Sequence, residues 1–584
     1  MPIYSPKPFV STYENKRALI LLIFFIIFAV AIIIRLFDLQ IIKHNYFAAL
    51  AEDQHEIFKK LVPERGEIFC HNSASDPFAI YPLAINRDVY LVYAVPTLIT
   101  NAEQTLKKLE SVLLLANVSR EQLLARLNKQ NDPYEPILKR VEEEQIKQLE
   151  ELNIAGIKWL KEKGRFYPEN NLASHILGFV NQADNQETGA YGLEAYYNKE
   201  LTGVPGFLRG EVGNLGNFIA LGQQDVVPAE NGADVILTID KNIEFFSCKE
   251  LAIAVREFEA DNGSLIVMEP QTGKILAMCN APDFNPNKYN EVESVKDFTN
   301  SAISVAYEPG SIFKPVTMSA AIEEKAVTPE TTYQDPGQIK ISDFTIYNYD
   351  KKSHGTRTMT QVLEESLNTG VVFAGRKIGI EKFTEYVKKF GMGAKTKIDM
   401  FNEAVGNIAS LNKKHELYMA TASFGQGIMT TPLQMVSAYS AIVNNGKLMR
   451  PYIVEELRFD NKPAQITQPQ VVRQVISPET AKKVAAMLVS VVNNGHAKNA
   501  KIPGYLVGGK TGTAQIADPN SGKYSENVTH SFVEFAPFNN PKFVLIVKLE
   551  NVKKVKYAES SALPTATKIA KFILDYYAVE PEVK

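Results

Sequence analysis

The stretch that decides the fold is Glu308-Pro309-Gly310-Ser311-Ile312-Phe313-Lys314-Pro315, which lies just past the middle of the chain. The apolar, alanine-rich run at 312–321 predicts a buried helix with Ser311 at its N-terminus. Pro315 fits there because the first-turn N–H groups of a helix have no internal partner. Residues three apart share a helix face, so the Lys314 amine is predicted to reach the Ser311 hydroxyl.

A serine paired with a lysine has the composition of a nucleophile and its base. A free hydroxyl is a poor nucleophile and needs a neighbouring group to take its proton. Lysine can act as that base when burial or a nearby cation lowers its pKa. Because Ser-x-x-Lys also occurs often by chance, the assignment depends on companion motifs elsewhere in the chain.

One companion is Ser366-Leu367-Asn368. Its hydroxyl and amide are placed to hold Lys314 in register and to contact an amide substrate. Taken alone, the tripeptide predicts a helix C-terminus closed by Asn368 or Gly370. Its functional interpretation therefore holds only together with the other motifs.

A second companion is Lys510-Thr511-Gly512-Thr513. As an edge strand, it would present an ammonium and two hydroxyls to an anion, and Gly512 would let a ligand lie close to the backbone. The overlapping Gly504-x-x-x-x-Gly509-Lys510-Thr511 matches the phosphate-loop pattern. A phosphate loop needs a buried strand before it and a helix after it, and neither is predicted here, so nucleotide binding is rejected.

Composition limits the partners. A chain of 584 residues predicts two to four domains, and a net charge of −3 argues against a nucleic-acid partner. Cys70, Cys248 and Cys279 lie far apart, so we expect neither a zinc site nor a disulfide framework. The odd cysteine count leaves the cellular compartment undecided.

Near the N-terminus, residues 18–34 are 17 uncharged apolar residues, and the segment can be extended past Arg35 through Leu36 and Phe37. This predicts a membrane-spanning helix at 18–37. No cleavage site of small residues follows, so we expect a retained anchor rather than a signal peptide. The basic residues on either side, Lys7, Lys16 and Arg17 against Arg35 and Lys43, favour a cytoplasmic N-terminus.

The second half predicts an α+β layout. Strands are expected at Val235–Ile239 and Lys542–Leu549, and Ser264–Met268 with Lys274–Cys279 is expected to form a hairpin. Helices are expected at Ile243–Phe258 and Leu563–Tyr577. Together these predict an antiparallel sheet with flanking helices and a mostly helical insert.

The three motifs stand in a fixed order, with the second and third about 55 and about 200 residues after the serine, as in β-lactamases and penicillin-binding proteins. With them the chain resembles the class B penicillin-binding proteins. The resemblance extends to Arg65-Gly66-Glu67-Ile68, Gly192-Leu193-Glu194 and Phe424-Gly425-Gln426-Gly427. Where the family usually continues with Asp-Arg-Asn-Gly, this chain has Cys70-His71-Asn72-Ser73, which puts one local turn in doubt.

The resemblance implies four parts: a cytoplasmic tail at 1–17, the anchor at 18–37, a pedestal domain at 38–228 and a transpeptidase domain at 229–584. The transpeptidase domain would have the penicillin-binding and serine β-lactamase-like fold. The protein would be a single-pass protein of the cytoplasmic membrane with its catalytic domain outside.

The implied activity is peptidoglycan D,D-transpeptidation through a serine acyl-enzyme, with no metal or cofactor. Ser311 would be the nucleophile and Lys314 its base. The remaining catalytic residues would be Ser366, Asn368 and Lys510, and the substrate-binding residues would be Thr511, Gly512 and Thr513. Implied ligands are stem peptides ending in D-Ala-D-Ala and β-lactams, and implied partners are a glycosyltransferase and membrane proteins of the division or elongation machinery.

Two alternatives stay open at this point. The acyl-enzyme would pass to water in a D,D-carboxypeptidase or a β-lactamase. A member of the fold without catalysis would serve as a division or elongation scaffold, or as a β-lactam sensor. Product analysis with an added amine acceptor would distinguish the first alternative from a transpeptidase. Complementation by a Ser311→Ala variant would support the second.

Overall fold

The structure is a computed structural model. It describes residues 56–583, except for 77, 114, 116–118, 130, 184–185, 212–223 and 518–523, together with a few positions between 21 and 33. Most of the predicted membrane helix at 18–37 therefore lies outside the described residues. In the part of the chain that is described, no helix has both the length and the apolar character needed to cross a bilayer.

The chain divides into two compact units. One unit takes in residues 1–64 and 203–231. Its described part contains an antiparallel sheet in which Gly206–Glu211 lies between Glu56–Leu61 and Gln224–Val227. The other unit takes in 65–202 and 232–584. The predicted domain boundary at 228/229 stays a prediction.

The larger unit contains a seven-stranded sheet. Six strands follow one another in the order Gln465–Ile466, Val454–Arg458, Asp234–Asp240, Ile68–His71, Ile80–Ala94 and Glu135–Val141, and Ile157–Phe166 also pairs with Ile80–Ala94. Helices Ala102–Glu110, Arg120–Leu127 and Glu143–Leu152 contribute apolar residues to a separate core cluster beside its far end.

Two motifs of the N-terminal half meet in this unit around Glu194, which is fully buried. Arg65 donates to Oε2 of Glu194 from Nε at 2.9 Å and from Nη2 at 2.6 Å. Arg165 donates from Nε to Oε1 at 2.6 Å. Burial alone would raise the pKa of Glu194, but the two guanidinium charges bring it below its usual range. Paired charges of this kind tolerate burial because each finds its partner.

The five-stranded antiparallel sheet of the same unit has the order Ile275–Ala281, Asn262–Met268, Phe543–Glu550, Tyr524–Ala536, Gly508–Ala517. Helices Lys241–Glu257, Pro432–Val443 and Ala562–Tyr576 pack against its strands. All but the last residue of Phe543–Glu550 is buried, as expected for a strand covered on both faces. The predicted α+β fold, the hairpin and the flanking helices are confirmed, with bounds shifted by a few residues at most.

Between the hairpin and the last three strands lies the predicted helical insert. Its main helices are Lys314–Glu323, Met359–Glu364, Asn368–Lys389, Glu416–Ser423, Pro432–Val443 and Pro478–Asn494. Short strand pairs accompany them, namely Thr332–Asp335 with Gly355–Thr358, Gln338–Ile341 with Phe344–Tyr347, and Lys447–Met449 with Val471–Gln474. The remaining short elements include helices Ser174–Leu177, Gly192–Tyr196, Asn198–Thr202 and Ser301–Ser304, and the pair Phe179–Ala183 with Gln186–Ala190.

The expectation that the cysteines form no disulfide is wrong. Cys248 and Cys279 are bonded, with their Cα atoms 5.5 Å apart. The bond ties helix Lys241–Glu257 to strand Ile275–Ala281, which pack against each other. Spacing gave no signal because the two cysteines are 31 positions apart, and the chain between them contains a strand and a turn that fold back. Cys70 is a buried free thiol.

Candidate active site

Ser311 lies at the start of a buried helix, as predicted. A 3₁₀ turn at Gly310–Phe313 leads into helix Lys314–Glu323, with Pro315 in its first turn. Ile312 and Phe313 are fully buried, and the Tyr439 hydroxyl donates to the Ile312 carbonyl at 2.7 Å. These contacts hold the serine in a rigid frame.

Two glycines make a close backbone contact beside the serine. The N–H of Gly310 donates to the Gly425 carbonyl at 3.0 Å. A Cβ atom at Gly425 would stand 2.2 Å from the Gly310 oxygen, and its φ of +80° also favours glycine. The carboxylate of Glu308 accepts from the N–H of Gly427 at 2.9 Å. The segment at 424–427, one of those to which the family resemblance extends, thus anchors the serine turn.

Ser366 joins the two motif lysines. The Lys314 amine donates to the Ser366 carbonyl and, at 3.1 Å, to its hydroxyl. Lys510 donates to the same hydroxyl at 3.0 Å. Ser366 takes the left-handed conformation, with φ of +55°, which turns it toward both amines. A proton thus has a short path from either amine to a hydroxyl at the cavity wall.

The electrostatics of the two lysines differ from those of exposed lysines. Burial, reinforced by the charge of Lys510, holds the pKa of Lys314 well below its ordinary value. Burial lowers the pKa of Lys510 to about 8, although the negative charge of Glu559 acts to raise it. A neutral amine next to a charged one is the arrangement that a base and an anion-binding group require.

The Ser366-Leu367-Asn368 segment turns the chain between two helices. Helix Met359–Glu364 ends before it, and Asn368 begins helix Asn368–Lys389. The predicted helix end is present, but Asn368 and Gly370 belong to the following helix rather than closing the first. The Asn368 amide donates to the Tyr347 carbonyl at 2.8 Å and lines the cavity described below.

Lys510 to Thr513 lie on Gly508–Ala517, the last strand of the five-stranded sheet, which confirms the predicted edge strand. The segment is therefore no phosphate loop. Gly512 also serves packing, because a Cβ atom there would meet the Ser531 hydroxyl at 2.6 Å and the Pro309 carbonyl at 3.0 Å. Glycine thus lets the serine turn approach the strand closely.

These segments surround a cavity of about 410 Å³. Five predicted site residues line it, namely Ser311, Ser366, Asn368, Thr511 and Thr513. Lys314 and Lys510 are fully buried and reach it through Ser366. Sequence reasoning missed five further lining residues, for which the sequence offers no motif: Tyr349, His496, Tyr557, Glu559 and Ser560.

Elsewhere in the described chain, Glu244, Cys248 and Cys279 hold ligand-type atoms within 4.8 Å of one another. Because the two sulfurs are bonded to each other, they are not available as thiolate ligands in this state. Burial raises the pKa of the Glu244 carboxyl to about 8.

Comparisons with known families agree with this geometry. The family model described as penicillin binding protein transpeptidase domain matches residues 263–575. The model described as penicillin-binding protein dimerisation domain matches residues 60–237. The chain therefore belongs to the class B penicillin-binding proteins, as its three motifs predicted.

Full-length relatives support the same family. Stage V sporulation protein D of Bacillus subtilis is 34% identical over 575 residues, covering 97% of this chain and 86% of that protein. The peptidoglycan D,D-transpeptidase MrdA of Escherichia coli is 27% identical, covering 92% of this chain and 91% of that protein.

Solved structures share the fold. Penicillin binding protein 3 of Mycobacterium tuberculosis, complexed with aztreonam, is 25% identical with a TM-score of 0.68, covering 90% of this chain and 99% of that one. Penicillin binding protein 2X of Streptococcus thermophilus has a TM-score of 0.71 at 24% identity, covering 90% of this chain and 81% of that one.

Proposed function

We propose that this protein is a peptidoglycan D,D-transpeptidase that works through an acyl-enzyme on Ser311. The observation that carries the proposal is the convergence of Lys314, Ser366 and Lys510 behind the cavity that Ser311 lines. Relatives of similar length are named peptidoglycan D,D-transpeptidases, and one neighbour is a complex with aztreonam.

In the acylation step, the Ser311 hydroxyl oxygen attacks the carbonyl of the penultimate D-Ala of a stem peptide. Lys314 takes the hydroxyl proton, a role that its lowered pKa favours. Ser366 then relays a proton to the amine of the terminal D-Ala as the peptide bond breaks. D-Ala leaves, and an ester to Ser311 remains.

Substrate binding uses the charges and hydrogen-bond donors of the cavity. Lys510, Thr511 and Thr513 hold the terminal carboxylate, and the Asn368 amide contacts the substrate backbone. The backbone N–H groups of Ser311 and Thr513 form the oxyanion hole, where removal of one donor typically costs about 3 kcal/mol. These roles are proposals based on motif position and cavity lining.

In the second step, an amine from another stem peptide attacks the ester and forms the cross-link. The Ser311 hydroxyl is regenerated as it takes back a proton. A β-lactam would acylate the same serine by opening its ring. We further propose that the protein works with a glycosyltransferase and with membrane proteins of the division or elongation machinery, from a single N-terminal anchor in the cytoplasmic membrane.

The test is covalent labelling by a fluorescent penicillin. The Ser311→Ala variant is expected to lose all labelling because the ester has no oxygen to form on. A matched control is Ser75→Ala, which removes a hydroxyl from an exposed bend remote in sequence from the three motifs and should leave labelling intact. Labelling of Ser311→Ala at the wild-type rate would refute the nucleophile.

A further inference from the structure

The 3₁₀ turn Ala558–Ser560 and the preceding Tyr557, together called the 557–560 segment, lie against the strand that carries Lys510. The N–H of Ala558 donates to the Thr513 hydroxyl at 3.3 Å, and the Thr511 hydroxyl donates to Oε1 of Glu559 at 3.2 Å. The two hydroxyls assigned above to the substrate carboxylate are thus both bonded to this one segment.

The bond from Thr511 to Glu559 opposes anion binding. A threonine hydroxyl has one proton, and while Glu559 accepts it, only lone pairs of Thr511 face the cavity. Glu559 itself is partly exposed and lines the cavity. A ligand carboxylate at Thr511 therefore meets a like charge nearby, and it gains a hydrogen bond only after Thr511 turns its proton away from Glu559.

The same carboxylate favours the charged state of Lys510, whose pKa it raises against the effect of burial. The other titratable groups in this neighbourhood are Lys314, across Ser366, and His496. Burial and the charge of Lys510 lower the pKa of His496, while Glu559 and Glu365 oppose that decrease. Tyr349 and His530 also lie within the field of Glu559.

We propose that Glu559 is a positioning residue of the acylation step, which holds the Thr511 hydroxyl before substrate binds, supports the charge of Lys510 and releases the hydroxyl when a carboxylate-bearing substrate binds. This inference rests on the proposed function. It assigns two opposite effects to one side chain: a slower reaction at neutral pH and activity that extends further into alkaline pH.

The experiment measures the second-order rate of acylation by a fluorescent penicillin, which carries a carboxylate, between pH 6 and pH 10 for the full-length protein. Glu559→Gln removes the like charge, and its amide can donate to Thr511, so acylation near pH 6.5 should be about threefold faster or more. The acylation rate of Glu559→Gln should begin to fall at a lower alkaline pH than that of wild type, because Lys510 loses its proton more easily without the carboxylate. The wild-type and variant profiles should therefore cross.

Two control variants distinguish an effect of the Glu559 charge from a general effect of substitution. Glu559→Asp keeps the charge on a shorter side chain, so its alkaline decline should stay at the wild-type pH. Glu381→Gln neutralises an exposed ion pair with Lys414, and its profile should superimpose on wild type. Parallel wild-type and Glu559→Gln profiles would overturn the proposal.

Thermal melting reports whether each variant folds. If Glu559→Gln does not fold, the proposal is tested with Glu559→Asp. An acylation rate that falls at a different alkaline pH in Glu559→Asp than in wild type would then overturn the proposal. The Glu559 proposal and the proposed function can fail separately. If labelling survives in Ser311→Ala, Ser311 is not the nucleophile, and this result does not depend on Glu559.

Discussion

At the level of single residues, the proposed chemistry depends on two buried amines that meet at one hydroxyl. Lys314 and Lys510 both donate to Ser366, at 3.1 Å and 3.0 Å. Two full positive charges this close repel strongly in a buried site, so the pair favours one neutral and one charged amine. Burial and the charge of Lys510 hold the pKa of Lys314 well below its ordinary value, so in the proposed mechanism Lys314 is the base.

This division of roles predicts the effect of Lys314→Arg. A guanidinium is slightly larger than the lysine amine and does not lose its proton in proteins, so it cannot accept one from Ser311. Acylation by a fluorescent penicillin should slow by about 10²-fold or more, the size of a general-base contribution. Lys483→Arg on an exposed helix turn is the matched control and should leave the rate unchanged. A wild-type rate for Lys314→Arg would exclude Lys314 as the base.

The second amine predicts a pH dependence. Burial lowers the pKa of Lys510 to about 8, and in the proposed mechanism Lys510 binds the ligand carboxylate while it is protonated. Acylation by a carboxylate-bearing β-lactam should therefore hold below pH 8 and fall as the pH rises through that value. Lys510→Arg stays charged, so its rate, whatever its absolute size, should show no decline near pH 8. The acylation rate of both proteins is measured at each pH. If the rate of Lys510→Arg falls near pH 8 as in wild type, a group other than Lys510 causes the fall.

At the level of secondary structure elements, the site is built where three elements touch. The serine turn meets the edge strand through Gly512, and the Ser366 hydroxyl accepts from a lysine of each side, Lys314 and Lys510. Away from the site, the Arg65 and Arg165 pairs with Glu194 tie the start of strand Ile68–His71 and the end of strand Ile157–Phe166 to helix Gly192–Tyr196. Stability in that region therefore depends on one carboxylate.

Glu194→Gln should lower the free energy of unfolding by about 3–5 kcal/mol because two buried guanidinium groups lose their counter-charge. Urea unfolding gives the value. Glu103→Gln, in an exposed pair with Arg120, is the control and should cost about 0–1 kcal/mol. An equal effect of the two changes would show that the buried cluster does not stabilise the fold.

The lowered pKa of Glu194 also predicts how the stability of the fold changes with pH. Because its pKa is lower in the folded protein than the ordinary carboxyl value of 4.5, its stabilising contribution is present above that value and is lost as the pH falls below it. Wild-type stability should therefore fall more steeply than that of Glu194→Gln between about pH 5 and pH 3.

At the level of the whole molecule, the predicted anchor at 18–37 and the proposed cell-wall substrate require the catalytic domain to lie outside the cytoplasm. A tag at the C-terminus should therefore be digested by protease added to intact spheroplasts, while a cytoplasmic marker protein stays intact. Protection of the tag until the cells are lysed would overturn this topology.

The sequence by itself determined the local elements and the family. The serine helix, the hairpin and the edge strand follow from apolar periodicity, glycine and proline, which act over a few residues, and the spacing of three short motifs predicted the class B penicillin-binding proteins. Only the tertiary structure decided that Ser366 binds both lysines, that Cys248 pairs with Cys279, and that Glu559 accepts from Thr511. These contacts join residues far apart in the chain, and which of them meet depends on how whole elements pack, which no local pattern encodes.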